Sequence, residues 1–275
     1  GAVKLVETET LRVDERKPVH SAYASASHPW LRLKGLFGGR ANGNMANTAV
    51  LSWQGATWTL FEFNPPVRFD PDTLLCGDEE VIGGVARVGI GHAHRLPRRQ
   101  ATVWVGQNPG AKVTLDVFLL PDAGPARKLT TLDLPGLTEL HDILVTESTL
   151  VLVLAPLWAN PLKVALTGRF RDSLTWDPQG STEVILIPLD APDRVERFQA
   201  PPFFWWHGAN AWDEPEGVGF LLVRYDDFTT DRWFQHLAEG AADHPSGAAL
   251  TRFSLHRGSG TLTPHPAWDG SAEFP

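Results

Sequence analysis

Short runs rich in β-branched and aromatic residues recur along the chain: 47–53, 56–63, 101–107, 112–120, 128–134, 148–154, 183–189, 217–225 and 249–256. Each has the length of a strand, and turn-forming triplets such as Asn108-Pro109-Gly110, Asp122-Ala123-Gly124 and Pro178-Gln179-Gly180 separate them. Within Lys112-Val113-Thr114-Leu115-Asp116-Val117 polar and apolar positions alternate. That alternation gives a strand two unlike faces, unlike the continuously apolar strands of a parallel α/β sheet. The one persuasive helical stretch runs from Asp231 to Ala241. The pattern predicts one all-β domain over residues 1–275. Evenly spaced short strands suit a sandwich, a large barrel or a propeller, and periodicity alone does not choose among them.

With 275 residues, 43% of them hydrophobic and 10% aromatic, the chain can bury a sizeable core without disulfides. Its net charge of −8 repels polyanions at long range, which argues against nucleic acid as a partner. The single cysteine, Cys76, excludes an internal disulfide and a thiolate zinc cage, and reads as a small apolar residue. No apolar run approaches the roughly 20 residues that span a bilayer; the most apolar stretch, Leu150 to Trp158, is far too short. The opening residues GAVKLVETETLR lack the apolar core and cleavage site of a secretory signal, so the expected compartment is the cytoplasm unless the start is missing.

Three of the ten histidines stand where a loop gives way to a strand: His94 in GIGHAHRLP, His141 in TELHDILVTE and His207 in PPFFWWHGANAW. They are too distant in sequence for a local chelate. They converge only if successive sheets present equivalent strands to a common centre, as the innermost strands of propeller blades do. Taken singly, each reads more readily as a hydrogen-bonded structural histidine. His92 lies two residues before His94, on the same face of any strand, and permits a rival reading as a His-x-His zinc hydrolase. That rival calls for a helix-rich barrel, which the pattern does not offer. There is no Gly-x-Ser-x-Gly and no Walker loop, and the glycines from Gly89 lack the third member of a dinucleotide fingerprint.

Several segments, in order, resemble the carotenoid cleavage oxygenase family. Ala46 to Leu74 is similar to that family's Asn-Thr, strand, glycine turn, strand ending in Glu, and Asp-Pro-x-Thr-Leu. Ala93-His94 resembles its first-ligand motif Ala-His-Pro, with Arg95 where proline is usual. His141-Asp142 followed by Thr146-Glu147 resembles the second, Phe203 to Trp212 the third, and Glu273-Phe274-Pro275 a later Glu-Phe-Pro. The resemblance implies a seven-bladed β-propeller with Fe(II) held by His94, His141 and His207. It also implies that Glu62 and Glu273 orient the rings of His141 and His207. A fourth histidine and a third glutamate are expected beyond Pro275, since His236, His244, His256 and His265 do not match the fourth-ligand context. The chain is therefore expected to be an internal fragment, lacking N- and C-terminal portions and inactive alone.

The activity so implied is an iron-dependent dioxygenase that cleaves a carbon–carbon double bond of a carotenoid, apocarotenoid or stilbene-like substrate into two carbonyl products. Neutral imidazoles leave ferrous iron its full charge and open positions, and each ligating ring needs an oriented acceptor for its other N–H. The expected partners are dioxygen and an apolar polyene or stilbene, with no nucleic acid and no transmembrane segment; peripheral membrane contact stays compatible. Of the eleven tryptophans, Trp158, Trp205 and Trp206 are candidates to line a tunnel, against the default of core packing. A catalytically silent propeller that binds an apolar ligand or a partner is the other rival.

Overall fold

The structure is a computed structural model that describes Val6, Thr8 and residues 44–167, 170–231 and 247–272. Four antiparallel four-stranded sheets make up most of it. The first holds β1 (Ala49–Trp53), β2 (Ala56–Leu60), β3 (Val67–Phe69) and β4 (Cys76–Glu79), and the second β5 (His94–Leu96), β6 (Ala101–Asn108), β7 (Val113–Pro121) and β8 (Arg127–Leu134). In the third, β9 (Leu144–Val145) and β10 (Thr149–Leu154) join β13 (Thr182–Pro188) and β14 (Glu196–Ala200). Between β10 and β13 come β11 (Leu157–Ala159), two short helices α1 (Pro161–Thr167) and α2 (Phe170–Ser173), and β12 (Leu174–Trp176). The fourth sheet runs β15 (Phe204–Glu214), β16 (Gly217–Tyr225), β17 (Ala249–His256) and β18 (Thr261–Ser271). Apart from Asp231, the expected helix over Asp231–Ala241 lies outside the described residues. No helix among the described residues is long and apolar enough to cross a membrane.

Packing separates two compact units, the described residues of Gly1–Glu139 with Trp158–Thr175, and those of Leu140–Leu157 with Trp176–Pro275. In the first unit, β1 and β2 are joined by Gln54 and Gly55, both at positive φ, the two-residue turn whose twist matches a hairpin. The Trp53 indole and the Gln54 amide donate to the Pro121 carbonyl at the end of β7, at 2.6 and 3.0 Å. β6 is buried along nearly its whole length, with Val103, Trp104 and Val105 fully covered.

Against β6 lies an irregular segment from Val88 to Gly91. Ile90 N–H donates to Val105 O at 2.9 Å, and the Trp104 indole N–H donates back to Ile90 O at 3.0 Å. Glycine permits this approach. A Cβ on Gly106 would sit 2.0 Å from Val88 O, and one on Gly89 would sit 2.0 Å from the Trp104 ring.

The second unit is built on a cluster shared by its two sheets, including Val151, Val153, Val184 and Leu186 from one and Val218, Phe220, Leu222 and Phe253 from the other. Phe203, Phe253 and Phe220 stack in series with centroids 5.0 and 5.2 Å apart. Thr182, fully buried, donates its hydroxyl to Phe203 O and accepts from Phe203 N–H, which fixes the chain as it enters β15. β15 carries two irregularities: Trp205 pairs with Arg224 and Gly208 with Leu222, so Trp206 and His207 together face Val223, and Asn210 pairs with Leu221. β18 is an edge strand, which is where its Pro264 and Pro266 are tolerated.

The tight contact at β6 gives a stability prediction. Gly106→Ala should destabilise the protein by about 1–3 kcal/mol through overpacking, read as a lower denaturant midpoint in equilibrium unfolding with the native β signal in circular dichroism retained.

Candidate metal centre

His92 and His94 are placed differently by the local backbone. His94 opens β5 and pairs with Val103, so strand alternation puts it on the face of Leu96, which is buried, and turns Arg95 to the other side. Arg95 forks onto the Asp122 carboxylate, with Nη1 2.6 Å from Oδ1. His92 precedes the strand and escapes its alternation. It follows directly on the Val88–Gly91 segment. A Cβ on Gly91 would meet Glu62 Oε1 at 2.6 Å and Thr48 Cγ2 at 2.5 Å, so the Glu62 carboxylate lies against the residue next to His92. Glu62 Oε2 accepts from the Thr48 hydroxyl at 3.3 Å.

His141 lies three residues before β9, and His207 lies within the first irregularity of β15. Their half-buried rings meet nearly perpendicular, with centroids 5.0 Å apart. A bulge re-aims a side chain that regular alternation would send elsewhere. Trp206 lays its ring edge-to-face with His141 at 5.6 Å, and its indole N–H donates to Thr230 Oγ1 at 3.1 Å. Trp205 donates to Val153 O at 2.9 Å. Both tryptophans are buried with their N–H groups satisfied, so they act as packing around the histidines. Trp158 lines a groove of about 580 Å³ with Leu134, Leu137 and Val164, whose lining includes no histidine.

Imidazole donors suit iron, zinc, copper or nickel. In the second unit the His141 and His207 rings lie side by side as described. In the first, His94 belongs to the β5 ladder and His92 lies just ahead of it. Of the two glutamates expected to orient the rings, Glu62 is adjacent to Gly91 as described, and Glu273 lies outside the described residues. Sequence reasoning passed over Asp142. Its carboxylate is buried and accepts Ile143 N–H at 2.7 Å and Gly208 N–H at 2.8 Å, joining the residues that follow His141 and His207.

A family model described as RPE65, retinal pigment epithelial membrane protein, matches residues 2–275. The chain belongs to this family. It is the carotenoid cleavage oxygenase family indicated by the motifs. Resveratrol cleavage oxygenase 1 of Aspergillus fumigatus is 26% identical over 240 residues, covering 83% of this chain and 47% of that protein. Carotenoid cleavage oxygenase 1 of Neurospora crassa is 26% identical over 242 residues, covering 84% and 45%. The chain spans about half the length of the curated relatives it matches. Among solved structures, an ACO/RPE65 chimera aligns with a TM-score of 0.78 at 20% identity over 96% of this chain and 57% of its own, and cobalt-substituted Synechocystis ACO with 0.76 over the same shares. These are β-propellers, so the all-β reading extends to that architecture.

The paired histidines can be tested by mutation. In the full reading frame carrying this chain, His141→Ala and His207→Ala should each leave the purified protein well below stoichiometric metal by elemental analysis.

Proposed function

We propose that this chain forms part of an iron(II)-dependent dioxygenase that cleaves a carbon–carbon double bond of a carotenoid, apocarotenoid or stilbene-like substrate into two carbonyl products, on a seven-bladed propeller, with His94, His141 and His207 among the iron ligands. The observation that carries the reading is the pairing of the His141 and His207 rings, centroids 5.0 Å apart, in a member of this family. Bound iron would supply the activation of dioxygen.

The chain's own residues supply position. Neutral imidazoles offer nitrogen lone pairs without cancelling the metal's charge. Trp206 restricts the tilt of the His141 ring, and the bulge of β15 directs His207 toward it. Glu62 belongs to the proposal as an acceptor that fixes a histidine tautomer. Its carboxylate packs against Gly91, and orienting acceptors of this kind are worth about 10 to 100-fold in metal affinity or activity. Substrate class rests on the relatives, one named for resveratrol and one for carotenoids. The His92/His94 zinc chelate calls for a helix-rich barrel, whereas the described residues form mainly antiparallel four-stranded sheets.

The test is to purify the full reading frame, load it with ferrous iron and offer it resveratrol and an apocarotenal in turn, following oxygen uptake and aldehyde products. Oxygen-dependent cleavage of either is the expected result. An iron-loaded protein that consumes no oxygen with either would favour the catalytically silent propeller. Glu62→Ala should lower iron affinity or turnover by about 10 to 100-fold with the unfolding midpoint little changed.

A further inference from the structure

Asp142 stands out in the second unit because its buried carboxylate joins two segments whose neighbouring residues are the paired histidines. Oδ1 accepts Ile143 N–H at 2.7 Å, and Oδ2 accepts Gly208 N–H at 2.8 Å. Ile143 and Gly208 lie two and one residues beyond His141 and His207. Gly208 sits between the two irregularities of β15, and a Cβ there would come 2.5 Å from Leu144 Cδ2. The glycine brings the strand backbone against the β9 segment, and the carboxylate bonds the two together at the point of closest approach. A second tie, in which Thr146 and Ser148 donate to Asp213 at 2.7 and 2.6 Å, holds the same segments at their far end.

We propose that Asp142 is a positioning residue for the metal centre: by accepting one backbone N–H from each histidine-bearing segment it sets the separation of the His141 and His207 rings. This rests on the reading of those histidines as metal ligands. The geometry requires an acceptor at both oxygens. In Asp142→Asn one oxygen becomes an NH2 group that faces a backbone donor, so shape is kept and one bond is replaced by a repulsive contact. A buried N–H left without its partner weakens the local structure. Asp213→Ala removes the remote tie without touching the residues beside the histidines, and serves as the control.

The experiment uses the full reading frame, stripped of metal, with cobalt(II) as the probe. Cobalt affinity is measured by titration, and backbone exchange by mass spectrometry on peptides containing Ile143 and Gly208. Asp142→Asn is expected to lower cobalt affinity about 10 to 100-fold, to speed exchange in those two peptides only, and to lower the unfolding midpoint while the protein stays folded; Asp213→Ala should leave the affinity unchanged. Unchanged affinity in Asp142→Asn, or faster exchange throughout the chain, would overturn the assignment. A wild-type protein that takes up no cobalt would overturn the ligand reading itself, and so is distinguishable from failure of Asp142 alone.

Discussion

A buried carboxylate without donors is expensive, and Asp142 meets that demand with two backbone N–H groups from segments far apart in sequence. The second unit's histidine pair depends on this contact. Neither segment is held by regular pairing where it matters: His141 lies ahead of β9, and His207 lies where β15 departs from register with β16. An irregular backbone leaves N–H groups outside the ladder. Asp142 takes up two such groups with one side chain. The absence of a side chain at Gly208 lets the join close. The rings 5.0 Å apart follow from backbone geometry before any metal is considered.

The first unit reaches the same end by steric means. Reciprocal hydrogen bonds between Ile90 and the Trp104–Val105 pair hold the Val88–Gly91 segment to β6, at a spacing that only glycine at positions 89 and 106 allows. Gly91 repeats the device against Glu62 and Thr48. Close-packed interiors leave little room for adjustment, so a methyl group added at any of these positions is felt at His92. The Asp-Pro-x-Thr stretch of the family resemblance has a structural role of its own. Asp70 accepts the N–H groups of Asp72 and Thr73 at 2.8 and 3.0 Å, and these bonds hold its carboxyl below the usual range.

All nine apolar runs of the sequence contain strands, because each is a short β-branched and aromatic run bounded by turn residues. What escaped the pattern did so for physical reasons. β15 breaks its own alternation at two irregularities, β18 carries two prolines that an edge position tolerates, and strands of two or three residues such as β9 and β5 are too short to show a period. The chemistry was legible in part. The motifs of His141 and His207 pointed to two rings that the fold brings side by side, whereas the contact of Asp142 with Gly208 spans segments that no local pattern connects.

The difference between His92 and His94 turns on Arg95. Where the resembled family has proline after its first histidine, this chain has a residue with a backbone N–H. Proline cannot donate to a sheet ladder and biases the conformation of the residue before it. Arg95 removes both restrictions, and β5 runs unbroken from His94 to Leu96, in register with Val103, Thr102 and Ala101. The pairing of Arg95 with Asp122 is exposed and contributes little energy by itself. Its direction still matters, because it lies opposite to Leu96 and His94 and so agrees with the strand's alternation. His92, two residues back, lies where no ladder dictates side-chain direction, at the end of a segment whose course is already set by Gly89, Gly91 and the face of β6.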